Sequence, residues 1–276
     1  MQNPIISISK KELLDNVRNK WIIFLTIIFA SLTLVVSYFG SIFTEGWQDL
    51  GTTIQGMISL VQLLIPIIAL MLGYAAIIGD IEKGSMSSLL SLPINRLEIL
   101  MGKFIGLGFL LSVTILIGFG IAGVVIGFNV SNVEYIDYLI FIFATILIGL
   151  VFLSIALFLS TLFKKRSTSM GGAIFIWFFF NIILPIVFVG ILVAMSDDIM
   201  NIASNPPDWY NIINLFNPLQ VYSILVGLNV GPALSMNNIQ LSYPEYYTNL
   251  LMIVILVIWI LSFMFLSYIR FSRTDI

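Results

Sequence analysis

Apolar positions run in long unbroken blocks along this chain instead of alternating with polar ones. Six stretches contain no Asp, Glu, Lys or Arg: Trp21 to Thr44, Leu50 to Gly79, Phe104 to Val133, Tyr138 to Phe163, Ser167 to Ser196 and Tyr246 to Ile269. A helix rises about 1.5 Å per residue, so about 20 residues cross the roughly 30 Å hydrocarbon layer of a bilayer. Each stretch is long enough, and the pattern predicts an all-α membrane protein of six transmembrane helices in a single domain covering 1–276.

Two segments outside the spans carry their own pattern. Residues 1–20 read as a cytoplasmic amphipathic helix, with Ile6, Leu13 and Val17 on one face and Lys10, Lys11, Glu12, Asp15, Arg18 and Asn19 left in water. Such a helix lies along the membrane surface before turning into the first span. The apolar run behind it is too long for the core of a cleavable signal peptide. The segment 196–245 is the one large connection. Its prolines and asparagines, in Asn205-Pro206-Pro207, Asn217-Pro218 and Tyr243-Pro244, argue against another span. Trp209 to Leu225 mixes Ile, Leu and Phe with Asn211, Asn214 and Gln220, which suits an interfacial or re-entrant element at the outer headgroup level.

Charge gives the pattern a direction. All 12 Lys and Arg fall at the two ends, between spans two and three, or between spans four and five. The remaining connections hold acids alone: Glu45, Asp49, Glu134, Asp137, Asp197, Asp198, Asp208 and Glu245. By the positive-inside rule both termini are expected in the cytoplasm and 196–245 outside it, the setting being a prokaryotic plasma membrane. The basic residues then face anionic lipid, and a nucleic-acid partner is not expected.

Composition removes several chemistries. With 59% hydrophobic and 9% charged residues the chain does not describe a soluble domain, whose charged share is about 25%. It has no Cys and no His, so disulfides, thiolate chemistry and imidazole proton relays are absent, and no metal site is expected. No GxSxG and no paired acids within a span suggest a membrane hydrolase, and no ionisable group deep in a span suggests a proton-coupled carrier. There is no GxxxxGK[ST] loop to hold a nucleotide. The chain is therefore not expected to be an enzyme, and no catalytic residue is assigned.

The connection from Gly79 to Lys103 is the most distinctive. Asp80 and Glu82 precede Gly84; Ser85, Met86, Leu89 and Leu90 then fall in about two turns of good helix former that stop at Pro93. Asn95 can cap a new helix with Glu98 three positions on. A short helix at about 84–92 is thus expected across the membrane surface.

These residues, with Leu92-Pro93, Arg96, Glu98-Ile99-Leu100 and Gly102-Lys103, resemble the signature of ABC-2 type transporter permeases of the type V exporter kind. Lys11-Glu12-Leu13, Arg18-Asn19-Lys20-Trp21, Pro66 to Tyr74, Ile117-Gly118-Phe119-Gly120, Asn217-Pro218 and Tyr222 extend the likeness over nearly the whole chain. Within the family it is most similar to the permeases that serve nitrous oxide reductase maturation. The resemblance implies a subunit that pairs with a second copy of itself and binds two copies of a separate ABC ATPase, where ATP and Mg would sit. Asp80, Glu82, Gly84, Ser85, Met86, Leu89 and Leu90 would then form the coupling helix and its approach, seated in the ATPase. It further implies export, or conformational work on an extracytoplasmic partner docked on 196–245. Near Tyr74 the chain offers only Ala75 and Ala76 where related permeases often carry an acid.

Polar groups in the spans supply the candidates for a translocation path: Gln55, Ser59 and Gln62 at helical spacing, Tyr74, and Asn181 ahead of Pro185. Interhelical hydrogen bonding is the competing role for each. Gly102 with Gly106, and Gly123 with Gly127, form small-residue pairs at helix-packing spacing. The 11 Met are scattered without the clustering a thioether copper relay needs, which favours a sulfur-containing cargo or conformational work over direct copper passage. Three rival classes stay open at this point: a generic ABC-2 exporter of drugs, lipids, peptides or ions, a channel or scaffold outside the ABC class, and a membrane enzyme.

Overall fold

The computed structural model describes residues 3–17, 27–28, 31–32, 35, 50–129, 135–195, 207–230 and 243–274. The expected first span, Trp21 to Thr44, lies outside the described residues save for five scattered positions. The helices are α1 (Pro4–Val17), α2 (Leu50–Gly73), α3 (Ile78–Glu82), α4 (Ser85–Leu90), α5 (Arg96–Asn129), α6 (Tyr135–Leu162), α7 (Arg166–Phe178), α8 (Leu184–Ala194), α9 (Asp208–Asn214), α10 (Pro218–Val230) and α11 (Asn249–Ser272). Among the described residues there is no strand.

Five helical stretches are long and apolar enough to cross a membrane: Gly56–Glu82, Arg96–Val124, Ile136–Leu162, Arg166–Ala194 and Asn249–Ser272. They correspond to the expected spans two to six. α6 is the axis of the bundle, with 72% of its apolar window buried, because α2, α5, α10 and α11 all pack on it. Glycine lets two of these neighbours come close. A Cβ on Gly149 of α6 would lie 2.9 Å from the Leu111 side chain of α5, and one on Gly73 of α2 would lie 2.6 Å from Ala156 Cβ.

Span two is not the single rod that its unbroken apolar run suggests. α2 ends at Gly73, residues 74–77 form a turn, and α3 resumes at Ile78. The break is satisfied from the side: Ser160 Oγ on α6 accepts from the N–H groups of Ile77 at 2.9 Å and Ile78 at 3.0 Å. Buried backbone donors need such partners, and this hydroxyl makes the interruption tolerable in an apolar setting.

Span five contains a π-helical turn at Phe179–Ile183 between α7 and α8. Pro185 accounts for it. A proline N has no hydrogen and its ring would collide with the carbonyl four positions back, so the helix widens there. In the widened register the carbonyl of Phe180 would look to residue 185, which cannot donate; Asn217 Nδ2 donates to it instead, at 3.1 Å.

The long connection holds more structure than its prolines and asparagines suggest. α9 and α10 are bent by 109° at a short break and together are long and apolar enough for one broken span or a re-entrant loop. Asn217 and Pro218 make the break. Pro218 takes the first helical position, where its missing N–H is harmless, and Asn217 Oδ1 caps the helix by accepting from Leu219 N at 3.0 Å. α10 then enters the bundle, where Tyr222 is fully buried and its hydroxyl lies 3.2 Å from Thr145 Oγ1, well inside α6. The element is packed into the bundle itself and does not merely lie across its end.

Candidate functional site

Helix α4 lies between two spans, where a short surface helix is expected. Gly84 supplies the entry, with φ 73° and ψ 0°, a left-handed conformation that an L side chain adopts only under strain. Met86 is fully buried, Leu89 and Leu90 are half-buried, and Gly84, Ser87, Ser88 and Leu92 are exposed. Ser85 Oγ donates to the Asp80 carbonyl at 3.2 Å, so the turn before the helix is closed from within. On the far side Glu98 Oε2 accepts from Asn95 N at 2.8 Å, the capping contact that starts α5.

The acids before α4 both have partners in the bundle, Asp80 half-buried and Glu82 at the surface. Lys103 of α5 is 1% exposed, and its Nζ donates to Asp80 Oδ2 at 2.6 Å and to Glu12 Oε1 of α1. Three elements thus meet on one buried cation. Glu82 Oε1 accepts from the backbone N–H of Arg166 at 2.8 Å, an acid at the positive end of α7. The Arg166 guanidinium lies 5.5 Å from the centre of the Tyr74 ring, with Nη2 donating to the Tyr74 hydroxyl at 3.2 Å. Arg96 donates to the carbonyls of Phe271 and, at 2.7 Å, Thr274, closing the end of α11. Through these contacts the described bases at the start of the chain, in the α2 to α5 connection, at the start of α7 and near the end of α11 share one end of the bundle.

Besides the apolar face expected toward the membrane surface, α1 has a side that packs on the protein. Ile6 and Val17 are 65% and 47% exposed, while Ile8 is buried and Glu12 turns inward to Lys103. Gly102 and Gly106 explain the register. They leave a trough in α5 into which α1 fits; a Cβ on Gly102 would sit 2.8 Å from Ile8 Cβ, and one on Gly106 would sit 2.6 Å from the Ser9 carbonyl oxygen. Ser9 Oγ then donates to the Gly102 carbonyl at 2.9 Å. The helix packs on a span, and its outward apolar residues remain for the membrane surface.

The intramembrane polar residues fare unevenly as path candidates. Gln62 Nε2 donates to the Leu219 carbonyl at 3.1 Å and to Ser223 Oγ, so it anchors α10. Ser59 is exposed on α2, and the Gln55 side chain lies outside the described residues. Asn181 donates back to the Trp177 carbonyl at 3.2 Å within its own helix. Tyr74 stands at the basic end with Arg166, far along α2 from Ser59 and Gln62. These residues do not converge on one site. Gly123 receives the Tyr138 ring, at 2.5 Å from where a Cβ would be, and the surroundings of Gly127 lie outside the described residues. Among the described residues no three Asp or Glu side chains gather as a metal ligand set.

Sequence reading missed Lys103, Ser160 and Asn217 as organising residues. Lys103 and Ser160 look like ordinary boundary residues, and only burial shows their role. Asn217-Pro218 did carry a signal, since Asn before Pro is a helix start. Replacing Asn217 by Leu is expected to destabilise the protein by roughly 1–3 kcal/mol, through an orphaned Phe180 carbonyl and a lost cap. A lowered midpoint in detergent thermal unfolding would show it, and an unchanged midpoint would remove Asn217 from this role.

With the geometry in hand, comparison with known proteins decides the family. The family described as ABC-2 family transporter protein matches residues 6–276. The chain belongs to this family. It is 35% identical over 226 residues to the "Probable ABC transporter permease protein NosY" of Stutzerimonas stutzeri, covering 77% of this chain and 82% of that protein. A protein of the same name from Pseudomonas aeruginosa is 35% identical over 225 residues, with the same coverage. The chain is therefore an ABC-2 permease, a membrane transport component that is not itself the ATPase. The reading as a channel or scaffold outside the ABC class falls with this finding.

Proposed function

We propose that this permease is the membrane half of an ATP-driven transporter, paired with a second copy of itself and powered by two copies of a separate ABC ATPase that hold ATP and Mg. The observation that carries this reading is α4, a short helix between two spans whose outer surface is exposed and whose roots are fixed to the bundle. Met86 seats it, Asp80 joins it to α5 and α1 through Lys103, and Glu82 joins it to α7. A rigid peg tied to several spans passes a partner's rigid-body movement to all of them. Gly84, Ser85, Leu89 and Leu90 with the exposed serines would meet the ATPase, while Asp80, Glu82 and Met86 act from behind. The charge pattern supports a basic end, with both termini, in the cytoplasm, and the likeness to bacterial permeases supports a prokaryotic plasma membrane.

Similarity to the NosY permeases supports a place in nitrous oxide reductase copper-site maturation, by export of a sulfur-containing species or by conformational work on an extracytoplasmic partner. The segment 196–245, with α10 held by Gln62, Thr145 and Phe180, would carry that partner's movement into the bundle.

Gentle-detergent purification of the tagged protein tests the assembly. Two ATPase copies with two copies of this chain are expected; the chain recovered alone under several mild conditions would sink the reading. Replacing both Gly84 and Ser85 by glutamate tests the coupling role. A side chain at the left-handed position of Gly84 is strained, its charge is placed on the exposed surface, and glutamate at 85 removes the bond from Ser85 Oγ to the Asp80 carbonyl, so ATP hydrolysis is expected to continue without transport while membrane insertion stays normal. Transport at ordinary efficiency would remove α4 from the coupling role.

A further inference from the structure

A cleft of about 500 Å³ opens between α1, the turn after α2, α5 and the start of α7. Its lining is polar at one end and apolar at the other. Lys11, Lys83 and Arg166 stand at the basic end, and Ile68, Met71 and Met170 line it further along α2 and α7, one or more turns toward the bilayer interior. Met71 and Met170 are 41% and 40% exposed, so the apolar part opens sideways, where acyl chains lie.

The charges in the cleft are not balanced. Lys103 is shared between Glu12 and Asp80, so that trio keeps one negative charge, and Asp15 lines the cleft without an ion pair among the described residues. Against it stand Lys11 and Lys83, which make no ion pair among the described residues, and Arg166, whose guanidinium meets the neutral Tyr74 hydroxyl and ring. Four bases against three carboxylates leave the lining with one net positive charge, at the basic end of the bundle and beside an exposed apolar slot.

We propose that this cleft binds an anionic phospholipid of the leaflet that the basic end faces. Its phosphodiester lies among Lys11, Lys83 and Arg166, and an acyl chain runs along Ile68, Met71 and Met170. A soluble phosphate would use the first half of this lining and leave the second empty; a zwitterionic lipid brings no net charge to offset the one positive charge of the lining. Because Lys11 belongs to α1 and Lys83 to the turn before α4, the bound headgroup bridges the surface helix and the root of α4. The position of both then depends on lipid composition.

Native mass spectrometry of the purified full chain, offered equal phosphatidylglycerol and phosphatidylcholine, tests this. Preferential retention of phosphatidylglycerol is expected. Lys11→Gln with Lys83→Gln, which breaks no internal ion pair among the described residues, should weaken it by about 25-fold, at about fivefold per base near an anionic headgroup. Met71→Trp, narrowing the apolar slot, should lower retention with all charges kept. Equal retention of the two lipids, or unchanged retention in the double variant, would overturn the proposal. So would glycerol phosphate displacing the lipid as effectively as a short-chain phosphatidylglycerol does, since the apolar half would then be idle. The site itself does not depend on the ATPase or on which face is cytoplasmic. Side-specific labelling of a cysteine placed at Lys10 reads the orientation separately, so the two readings can fail independently.

Discussion

Lys103→Met is expected to destabilise the permease by about 3–5 kcal/mol, as breaking a buried ion pair from one side does. The lysine is 1% exposed and is the shared partner of Glu12 and Asp80. Without it two partly buried carboxylates are left close together with no counter-ion, and one of them would have to take up a proton or move out into the adjoining cleft. The expected signs are a much lower thermal midpoint in detergent and a loosened α1. Removing all three charges together, as Glu12→Gln, Asp80→Asn and Lys103→Met, should recover much of the loss, because a neutral cluster strands no charge. If Lys103→Met melts like the parent, or the triple variant is no better than the single one, the buried junction is not what holds α1 and the α3 root to α5. The same comparison bears on coupling. The triple variant keeps the fold but loses the electrostatic tie, so transport per ATP hydrolysed should fall in it while the midpoint returns.

The second large effect is steric. Gly106→Val places a Cβ 2.6 Å from the Ser9 carbonyl oxygen and 3.0 Å from Ser9 Cα, and backbone cannot yield as a flexible side chain does. α1 must lift away from α5 to relieve the clash, losing the burial of Ile8 and the bond from Ser9 Oγ to the Gly102 carbonyl. Overpacking of this kind costs about 1–3 kcal/mol where the structure can adjust. Here the adjustment is detachment of α1, whose packing is chiefly against α5. Thiol labelling of a single Ile8→Cys, a position buried in the parent, measures it directly: slow labelling is expected in the parent background and fast labelling with Gly106→Val, at unchanged membrane insertion. Equal labelling in both backgrounds would mean that the trough at Gly102 and Gly106 does not set the position of α1.

Much of the architecture was legible along the chain. Five of the six apolar runs correspond to helices long enough to span, with the first run, Trp21 to Thr44, falling outside the described residues save for five scattered positions. The short helix after Gly84, the stop at Pro93 and the Glu98 cap on Asn95 appear as local chemistry requires. Helix caps and proline stops depend on neighbours within a few residues, which is why they can be read locally. The protein-facing side of α1 was not legible for the opposite reason. Periodicity groups Ile6, Leu13 and Val17 on one face, and only the trough left by two glycines in another helix selects Ile8 and Glu12 as the residues that pack on the bundle. The acids at 80 and 82 likewise look like surface charges until Lys103 and the first N–H of α7 arrive beside them.

The sequence alone determined the class of protein. Unbroken apolar runs, bases confined to one side, the absence of Cys, His and a nucleotide loop, and the Gly79 to Lys103 signature together point to an ABC-2 permease. These are properties of composition and short-range order, and partition into a bilayer responds chiefly to them. Only the tertiary structure decided how deep α10 enters the bundle, where span two breaks, and which charges join α1, α4 and α5. Each of these is settled by a partner distant in sequence: Gln62 to Ser223, Ile77 to Ser160, Glu12 to Lys103. A polar group in an apolar surrounding must find such a partner, and the chain does not state which until it is folded.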